Sequence, residues 1–543
     1  MKPPIFRFNE QKDAIVDEVV RRACEAIRDP QLALSEAAFL EVRRQQIAGS
    51  DDTVTLGEWR GIARSLARMS ADETRAKLHH VVRAYARDVA GNFDPRVYKF
   101  ASRAAAPLIG ALLSPAQTLR HLGGAFDLRA LDGRVVIEGP VGTVRTLAEK
   151  GTIVFVPTHL SNLDSVVFGF ALERAGLPPA TYGAGKNLFT NPVLSFFMHN
   201  LGAYRVDRRL KHGLYKDVLK AYSCVLIERG YHSLFFPGGT RSRSGAIERK
   251  LKLGLAGTGV EAMARSAAAG KAQKVFFAPV TLNYLLTLEA ETLIDDFLQE
   301  EGKHRYIIED DESTRPGRVA AFMRKLLGLD AGCVVRFSRP LDCFGNTVDE
   351  DGVSHDARGH VVDPLTYLTD ANERIAPDAA RDAQYTRELG EAIVDAYLRD
   401  TVVMPTHLVA ACAFEELRKG LGARDIFAML RTQDDVLVPR AELALAVEKT
   451  RDRLKELESR GRVVLLPRLA RSSGREILDE ALRAFSGYHT TPVLEARGDS
   501  LLLVDTRLIF YYQNRLAAHL PASGAVGAGK APRIALGSGA LAS

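Results

Sequence analysis

An unbroken apolar run from Ile153 to Val156 ends at Pro157 and constrains the fold more than any other stretch of the sequence. Four consecutive apolar residues are typical of a strand buried on both faces, and a proline stops its ladder of backbone hydrogen bonds. A helix should follow, because Ser161 and Asp164 resemble a capping box and an apolar stretch continues over residues 166–175. The sequence therefore predicts a buried strand, a turn and a helix in succession.

His159 lies on this predicted turn, five residues before Asp164. Two side chains at that spacing point to different sides of a continuous helix, so the two would pair only across a turn. A carboxylate bonded to one ring nitrogen fixes the tautomer and leaves the other nitrogen free to take a proton from a hydroxyl group. The pair is a candidate catalytic dyad, although the spacing alone favours a helix cap beside a surface histidine.

Predicted strands and helices alternate through the middle of the chain. The strands are 134–140, 153–156, 181–184, 232–236 and 275–282, and the helices between them include 166–175, 216–228 and 255–268. This alternation predicts an α/β fold, with a mixed sheet flanked by helices, preceded by an N-terminal helical region and followed by a mostly helical C-terminal region. Ligands of such sheets bind beyond the carboxyl ends of the strands. Pro279 within the last strand is expected at a sheet edge or a bulge.

Two further turns carry arginines. They are residues 202–209 (GAYRVDRR) and residues 235–245 (FFPGGTRSRSG), the second of which follows a predicted strand. A turn rich in glycine and serine that bears Arg241 and Arg243 offers backbone donors and fork-shaped cations, which suit a phosphate monoester. Arg205, Arg208 and Lys186 add positive charge from neighbouring stretches. The alternative for each of these residues is a solvated surface charge.

Four blocks occur in a fixed order: His159-x4-Asp164, the turn 202–209, the turn 235–245 and the proline-containing strand 277–284. Together they resemble the glycerolipid acyltransferases, and most of all the glycerol-3-phosphate acyltransferases, over about residues 130–345. The segment 510–516 (FYYQNRL) is similar to the C-terminal region of the bacterial membrane enzyme. One departure is Gly238, which stands where the family most often has a glutamate expected to hold the glycerol hydroxyls or to order the arginines.

The resemblance implies that His159 is the general base and that Asp164 orients it. It also implies a set of substrate-binding residues, namely Lys186, Arg205, Arg208, Gly239, Thr240, Arg241, Ser242, Arg243 and Pro279. Backbone donors of residues 238–240 are expected to stabilise the oxyanion of an acyl transfer. Neither a metal nor another cofactor is expected, because acyl-coenzyme A or acyl carrier protein would enter as the co-substrate.

The implied activity transfers a fatty acyl group to the sn-1 hydroxyl of glycerol 3-phosphate, which makes lysophosphatidic acid for phospholipid biosynthesis. Three alternatives stay open at this point. The acceptor could be 1-acylglycerol 3-phosphate or dihydroxyacetone phosphate, or the loss of a glutamate at Gly238 could mark a non-catalytic, membrane-bound lipid-binding protein. A nucleic-acid regulator is least favoured, because the charges of residues 448–460 are mixed in sign.

A chain of 543 residues exceeds what one hydrophobic core serves, so several domains are expected. We predict an N-terminal helical region, a catalytic domain, a loop-rich excursion, a mostly helical C-terminal domain and a disordered tail, with the boundaries 1–129, 130–345, 346–383, 384–520 and 521–543. The net charge of +6 is compatible with an anionic membrane surface or a phosphorylated substrate, and is too weakly basic for a typical nucleic-acid binder.

Localisation follows from three further features. The five cysteines are scattered without a C-x-x-C pair, which favours a reducing compartment. No run reaches the roughly 18 apolar residues of a membrane-spanning helix, and the first residues lack the apolar run of a secretory signal. We therefore expect a peripheral protein on the cytoplasmic face of the cell membrane. Residues 100–114 and 188–201 could lie on the bilayer or form ordinary core helices.

Overall fold

The structure is a computed structural model that describes residues 3–48, 53–101, 135–186, 192–271, 273–301, 317, 332–370, 374–375, 378–421, 426–430 and 435–520. Three sequence predictions fall wholly or partly outside these residues: the disordered tail at 521–543, most of the segment 100–114, and the beginning of the segment 188–201.

Seven strands form one sheet in the order β1-β7-β6-β2-β5-β3-β4. Their bounds are β1 Val135–Glu138, β2 Thr152–Pro157, β3 Thr181–Gly185, β4 Ala203–Val206, β5 Ser233–Leu234, β6 Val275–Tyr284 and β7 Cys333–Phe337. Neighbouring strands of this sheet are parallel, except that β6 and β7 are antiparallel. The predicted α/β fold with a mixed sheet is confirmed.

The central strand β2 is buried on both faces, as its apolar run predicted. All six of its residues are buried. Ile153 and Phe155 belong to one hydrophobic cluster, whereas Val154 and Val156 belong to another, since successive side chains of a strand point to opposite faces. Strands β2, β5, β3 and β4 run in one direction, so the turns that follow them leave the sheet along the same edge.

Helices cover the sheet and form most of the remaining chain. The N-terminal four are α1 Phe8–Ala26, α2 Pro30–Ala48, α3 Leu56–Ser65 and α4 Ala71–Val89. Those among the strands are α5 Val141–Lys150, α6 Asp164–Arg174, α7 Pro192–Asn200, α8 Gly213–Glu228, α9 Gly257–Ala268 and α10 Ala290–Glu301. The C-terminal set is α11 Ala379–Arg399, α12 Pro405–Leu421, α13 Ile426–Leu430, α14 Arg440–Ser459, α15 Pro467–Arg471, α16 Gly474–Phe485 and α17 Thr506–Gln513.

The remaining strands are short and build three small sheets. They are β8 Thr347–Val348, β9 Ser354–His355, β10 Val361–Val362, β11 Val402–Val403, β12 Leu437–Pro439, β13 Val464–Leu465, β14 Leu494–Arg497 and β15 Ser500–Leu503. Three of them, β8 to β10, lie in the stretch that the sequence predicted to be loop-rich. Helix α11 begins within the predicted loop-rich excursion 346–383, where the Asp378 side chain accepts hydrogen bonds from the amides of Ala380 and Arg381 and so caps it.

Pro279 does not lie at a sheet edge, because β6 is flanked by β2 and β7. It lies opposite a bulge, the other position that was expected. Phe277 pairs with Leu341, and Val280 pairs with Phe337. The stretch from Phe337 to Leu341 is therefore one residue longer than the stretch of β6 that it pairs with. The Pro279 carbonyl accepts a hydrogen bond from the Ser338 amide at 2.9 Å, so the irregular pairing accommodates the missing proline N–H.

The N- and C-terminal regions both share hydrophobic clusters with the sheet domain. Buried residues of α1 and α4 pack with residues of α8 in one cluster, which also contains Trp59. Leu285 and Leu293, which follow β6, pack in another cluster with buried residues of the stretch 402–516. The domain that contains the seven-stranded sheet therefore packs against apolar residues of both the N-terminal and the C-terminal regions.

A half-buried ion pair joins α1 to α8. Arg22 contacts Glu228 through two bonds of 2.6 and 2.7 Å, and the two side chains are only 15% and 16% exposed. The neighbouring Arg21 also pairs with glutamates at 2.7 Å, yet its side chain is 54% exposed. The two arginines thus make similar bonds in very different surroundings.

We predict that Arg22→Ala lowers the free energy of unfolding by about 2 kcal/mol, because Glu228 would keep a half-buried charge without its partner. Arg21→Ala is the matched control and should cost less than about 1 kcal/mol, since exposed pairs contribute little. Urea titration followed by the fluorescence of Trp59, the single tryptophan of the chain, reports on this cluster. Equal losses in the two variants would contradict the prediction.

Candidate active site

The side chains of His159 and Asp164 meet at the end of β2. Nδ1 of His159 lies 2.8 Å from Oδ2 of Asp164, and the histidine side chain is 12% exposed. The ring stacks on Phe236, with the ring centroids 4.1 Å apart and an angle of 23° between the planes. The carboxylate therefore reaches back across the turn to the ring, as the five-residue spacing predicted.

Asp164 is fully buried and surrounded by donors. Its Oδ2 accepts hydrogen bonds from the amides of Leu160 at 2.6 Å and Ser161 at 2.9 Å, and its Oδ1 accepts one from the Tyr284 hydroxyl at 2.7 Å. Burial raises the pKa of Tyr284, so this phenol stays protonated and donates. A carboxylate that only accepts is in its ionised form, and Nδ1 of His159 then carries the proton. Nε2 is left as the basic nitrogen.

The predicted capping box at the start of α6 is only half formed. The Asp164 carboxylate accepts from the Ser161 amide, but the Ser161 hydroxyl accepts from Leu163 N at 3.1 Å and not from the amide of Asp164. That hydroxyl also donates to Glu289 Oε2 at 2.7 Å. Because the Ser161 hydroxyl is bonded to the buried Glu289, it does not cap α6 in the usual way.

The backbone of His159 is held on both sides by the stretch that follows β5. Its N–H donates to Glu248 Oε1 at 2.9 Å, and its carbonyl accepts from the Ser242 amide at 2.7 Å. The Ser242 hydroxyl donates to the Ala246 carbonyl at 2.7 Å, within the same stretch. Ser242 was predicted to bind substrate, and in the structure its backbone amide fixes the turn that carries His159.

Glu248 was not singled out in the sequence. Burial raises the pKa of its carboxyl group to about 8, while the bond from His159 N–H and the charge of Arg515 act in the opposite direction. Arg515 comes from the turn after α17 and is 2% exposed. Its guanidinium donates to the Leu282 carbonyl at 3.0 Å, and burial lowers its pKa. The buried side chains of Glu248 and Arg515 thus lie next to the turn that carries the dyad.

The glycine turn offers fewer backbone donors than the sequence suggested. The Gly239 amide donates to the Phe236 carbonyl at 3.0 Å, so it is already engaged. Gly239 has a φ of +75°, a conformation that favours glycine, and an added Cβ would lie 2.5 Å from Cδ of Lys252. Thr240 is exposed, and among the described residues no backbone partner is recorded for its amide or for that of Gly238. These two amides are the candidate oxyanion donors.

Arg241 and Arg208 are the predicted phosphate ligands that lie near each other. Nη1 of Arg241 is 3.5 Å from Oε1 of Glu289, which is fully buried and also accepts from the Asn162 amide at 3.0 Å. Arg208 is exposed. Desolvation and the positive charge of Arg241 both lower the pKa of Arg208, so the two cations are close enough to repel each other. An anion between them would relieve that repulsion.

The other three predicted cations are held by carboxylates. Arg243 pairs with the buried Asp296 of α10 at 2.8 Å. Lys186 and Arg205 share Asp88 of α4, at 3.7 and 3.5 Å. The positive charge of Arg241 thus acts on Arg208, and the remaining three cations, like Arg241 itself, have acidic partners. Within the described residues no group of histidine, cysteine, aspartate and glutamate side chains has a geometry suited to a metal ion.

A C-terminal segment lies directly against this site. Asn514 donates to the Ser244 carbonyl at 2.9 Å, and the Tyr512 hydroxyl accepts from the Thr287 amide at 3.3 Å. A Cβ at Gly245 would overlap the Tyr511 carbonyl. The segment 510–516, noted in the sequence for its resemblance alone, thus braces the arginine turn.

Of the helices described, none has the length and apolar character required to cross a bilayer.

Comparison with known proteins bears on the same part of the chain. Residues 141–283 match the family model described as Acyltransferase. The chain is 30% identical over 200 residues to a glycerol-3-phosphate acyltransferase of Actinobacillus pleuropneumoniae serotype 5b (strain L20), a match that covers 36% of this chain and 22% of that relative. The chain thus spans less than a quarter of the length of the curated relative.

A solved structure with some likeness is the 1-acyl-sn-glycerophosphate (LPA) acyltransferase PlsC from Thermotoga maritima. The match covers 55% of this chain and 92% of the PlsC chain, with 12% sequence identity and a TM-score of 0.25. The match to the family model falls on the stretch that carries β2, the dyad and both arginine turns. Residues 141–283 of this chain therefore resemble an acyltransferase domain.

Proposed function

We propose that this protein is a glycerol-3-phosphate acyltransferase, which moves a fatty acyl group from acyl-coenzyme A or acyl carrier protein to the sn-1 hydroxyl of glycerol 3-phosphate. The observation that carries the proposal is the bond of 2.8 Å between His159 and the buried Asp164, at the sheet edge from which Arg208 and Arg241 also emerge. The named activity of the relative from Actinobacillus supports the choice of acceptor.

In the proposed reaction, Nε2 of His159 removes the proton from the acceptor hydroxyl as its oxygen attacks the thioester carbonyl carbon. The carbonyl oxygen becomes an oxyanion, which the amides of Gly238 and Thr240 can stabilise. When the carbon–sulfur bond breaks, the electron pair leaves with the thiolate, and the His159 imidazolium returns the proton to sulfur. Asp164 stabilises the positive ring throughout, because its other donors keep it ionised. The chain itself forms no covalent intermediate in this scheme.

The acceptor phosphate would lie between Arg208 and Arg241. A dianionic phosphate offers each guanidinium a charge-assisted bond, which would offset the desolvation and the charge of Arg241 that together lower the pKa of Arg208. Glu289 holds Arg241 from the opposite side, which limits its motion. The product carries one acyl chain and a phosphate, so release into an anionic membrane surface fits the net charge of +6 and the proposed peripheral location at the cytoplasmic face.

The second candidate acceptors are 1-acylglycerol 3-phosphate and dihydroxyacetone phosphate, which present the same phosphate to the same arginines. Purified protein should be assayed with palmitoyl-coenzyme A and each of the three acceptors in parallel, and then with palmitoyl-acyl carrier protein as donor. Product from glycerol 3-phosphate supports the proposal, and product from 1-acylglycerol 3-phosphate alone moves the enzyme one step along glycerolipid synthesis. Absence of product from every pair would favour the non-catalytic binding protein.

We predict that His159→Ala reduces kcat by about 10² to 10⁴-fold, the range expected when a general base is lost. The protein should remain folded, because the backbone bonds of residue 159 to Glu248 and Ser242 do not involve the ring. His79→Ala, at an exposed position of α4, is the matched control and should turn over normally. A His159→Ala variant with wild-type kcat would refute the mechanism.

We predict that Arg208→Ala and Arg241→Ala each raise KM for glycerol 3-phosphate by about 10- to 100-fold, the loss expected for one charge-assisted bond. With glycerol, which lacks the phosphate, the variants and the wild type should be equally slow. Arg243→Ala should instead lower thermal stability, because Asp296 would lose the partner it contacts at 2.8 Å. An unchanged KM in both phosphate-site variants would exclude these residues as ligands.

A further inference from the structure

The space beside Gly238 is occupied by a carboxylate from another part of the chain. A Cβ added at Gly238 would lie 2.7 Å from Oε1 of Glu248 and 3.1 Å from its Cδ. The backbone of Gly238 is not left-handed, in contrast to that of Gly239, so its conformation permits a side chain and only the space forbids one. A side chain at position 238 and the Glu248 side chain therefore cannot both occupy this space unless one of them moves.

Glu248 reaches this place because the chain after Pro237 folds back on itself. The Lys252 amide donates to the Pro237 carbonyl at 2.7 Å and closes the loop 237–252. Ile247, next to Glu248, is 6% exposed and anchors the loop in the hydrophobic cluster under β2 and α9. The carboxylate is thus delivered by a closed loop and an apolar anchor, and not by a freely moving surface side chain.

Once there, the carboxylate bonds to the backbone of the catalytic turn. Oε1 accepts the N–H of His159 at 2.9 Å, while Ser242 of the same loop donates to the His159 carbonyl at 2.7 Å. Oε2 is buried and has no hydrogen-bond partner among the described residues. Both polar backbone atoms of the proposed base are therefore held by one loop, and Glu248 provides one of the two contacts.

We propose that Glu248 is a positioning residue for His159 and that it supplies, from ten residues downstream, the carboxyl group that Gly238 lacks. It acts by fixing the backbone of the turn, and through it the position of the imidazole over Phe236. The change from the common family sequence at position 238 is in this view a relocation of a carboxylate and not a loss. The inference rests on the proposed function for its activity measurement, but the placement itself can be measured separately.

The test exchanges the two positions. Glu248→Ala should lower kcat by about 10- to 100-fold with KM for both substrates within about threefold, because positioning of a base acts on the chemical step. Glu248→Gln retains an oxygen acceptor for the His159 amide and should keep kcat within about threefold of wild type. Gly238→Glu alone should impair kcat, since two carboxylates would compete for one space. The double variant Gly238→Glu/Glu248→Ala should recover most of the lost activity.

A second measurement is independent of turnover. Amide hydrogen exchange of a peptide spanning residues 157–163 should be about tenfold faster in Glu248→Ala, and should return toward the wild-type rate in Glu248→Gln and in the double variant. Glu261→Ala, on the surface of α9, is the matched control and should change neither measurement. If the wild type lacks transferase activity, the proposed function fails while the exchange data still test the placement.

Two results would overturn the inference. The first is an unchanged exchange rate at residues 157–163 together with an unchanged kcat in Glu248→Ala. The second is a double variant no more active, and no better protected from exchange, than the worse of its two single variants. Misfolding of Glu248→Ala would leave the isosteric Glu248→Gln and the double variant to decide. A role limited to filling space predicts equal rescue by the apolar double variant Gly238→Met/Glu248→Ala, whereas positioning through an acceptor predicts none.

Discussion

A carboxylate with no exposure to water, that of Asp164, is the interaction on which the rest of the site depends. An isolated buried charge is costly, so the surrounding chain must supply donors for it. Those donors come from the turn after β2, from the His159 ring and from Tyr284 at the far end of β6. The need to satisfy one charge therefore fixes the turn, the tautomer and the pairing of two central strands.

The same principle extends to the next layer of the site. Glu289 and Glu248 are further acids with little or no contact with water at their carboxylates, and each is bonded to a backbone amide of the catalytic turn. Glu289 also holds Arg241, while the charge of Arg515 acts on Glu248. Arg241, one of the two groups proposed to receive a phosphate, thus has the buried Glu289 as its acidic partner. Such a network can remain buried only while its members stay together.

Local pattern was sufficient to predict several parts of this arrangement. The apolar run of β2, the spacing of His159 and Asp164, and the placement of cationic turns after strands all follow from side-chain periodicity and chain direction. Pro279 was expected at an edge or a bulge, and it lies opposite a bulge. The order of strands cannot be read from one sequence, because it depends on pairings between residues that are far apart along the chain.

The missed residues share a physical reason. Tyr284, Glu248, Glu289 and Arg515 act through partners more than 80 residues away, such as the 120 residues between Tyr284 and Asp164. In sequence, Arg243 could not be distinguished from Arg241, since both follow the same strand. In the structure Arg243 contacts Asp296 at 2.8 Å, whereas Arg241 lies 3.5 Å from Glu289. Whether a charged loop residue is buried depends on the tertiary structure and cannot be predicted from its local sequence.

The packing of residues 402–516 against the end of β6 also has a consequence for biosynthesis. A nascent chain synthesised only as far as β7 would present Leu285 and Leu293 to water, because the cluster that covers them is completed by later residues. Arg515 would likewise be absent from behind Glu248. The ribosome must therefore release more than 150 residues beyond β7 before the catalytic site can close. During that interval the exposed apolar surface is a natural substrate for chaperones, which bind such surfaces on incomplete chains.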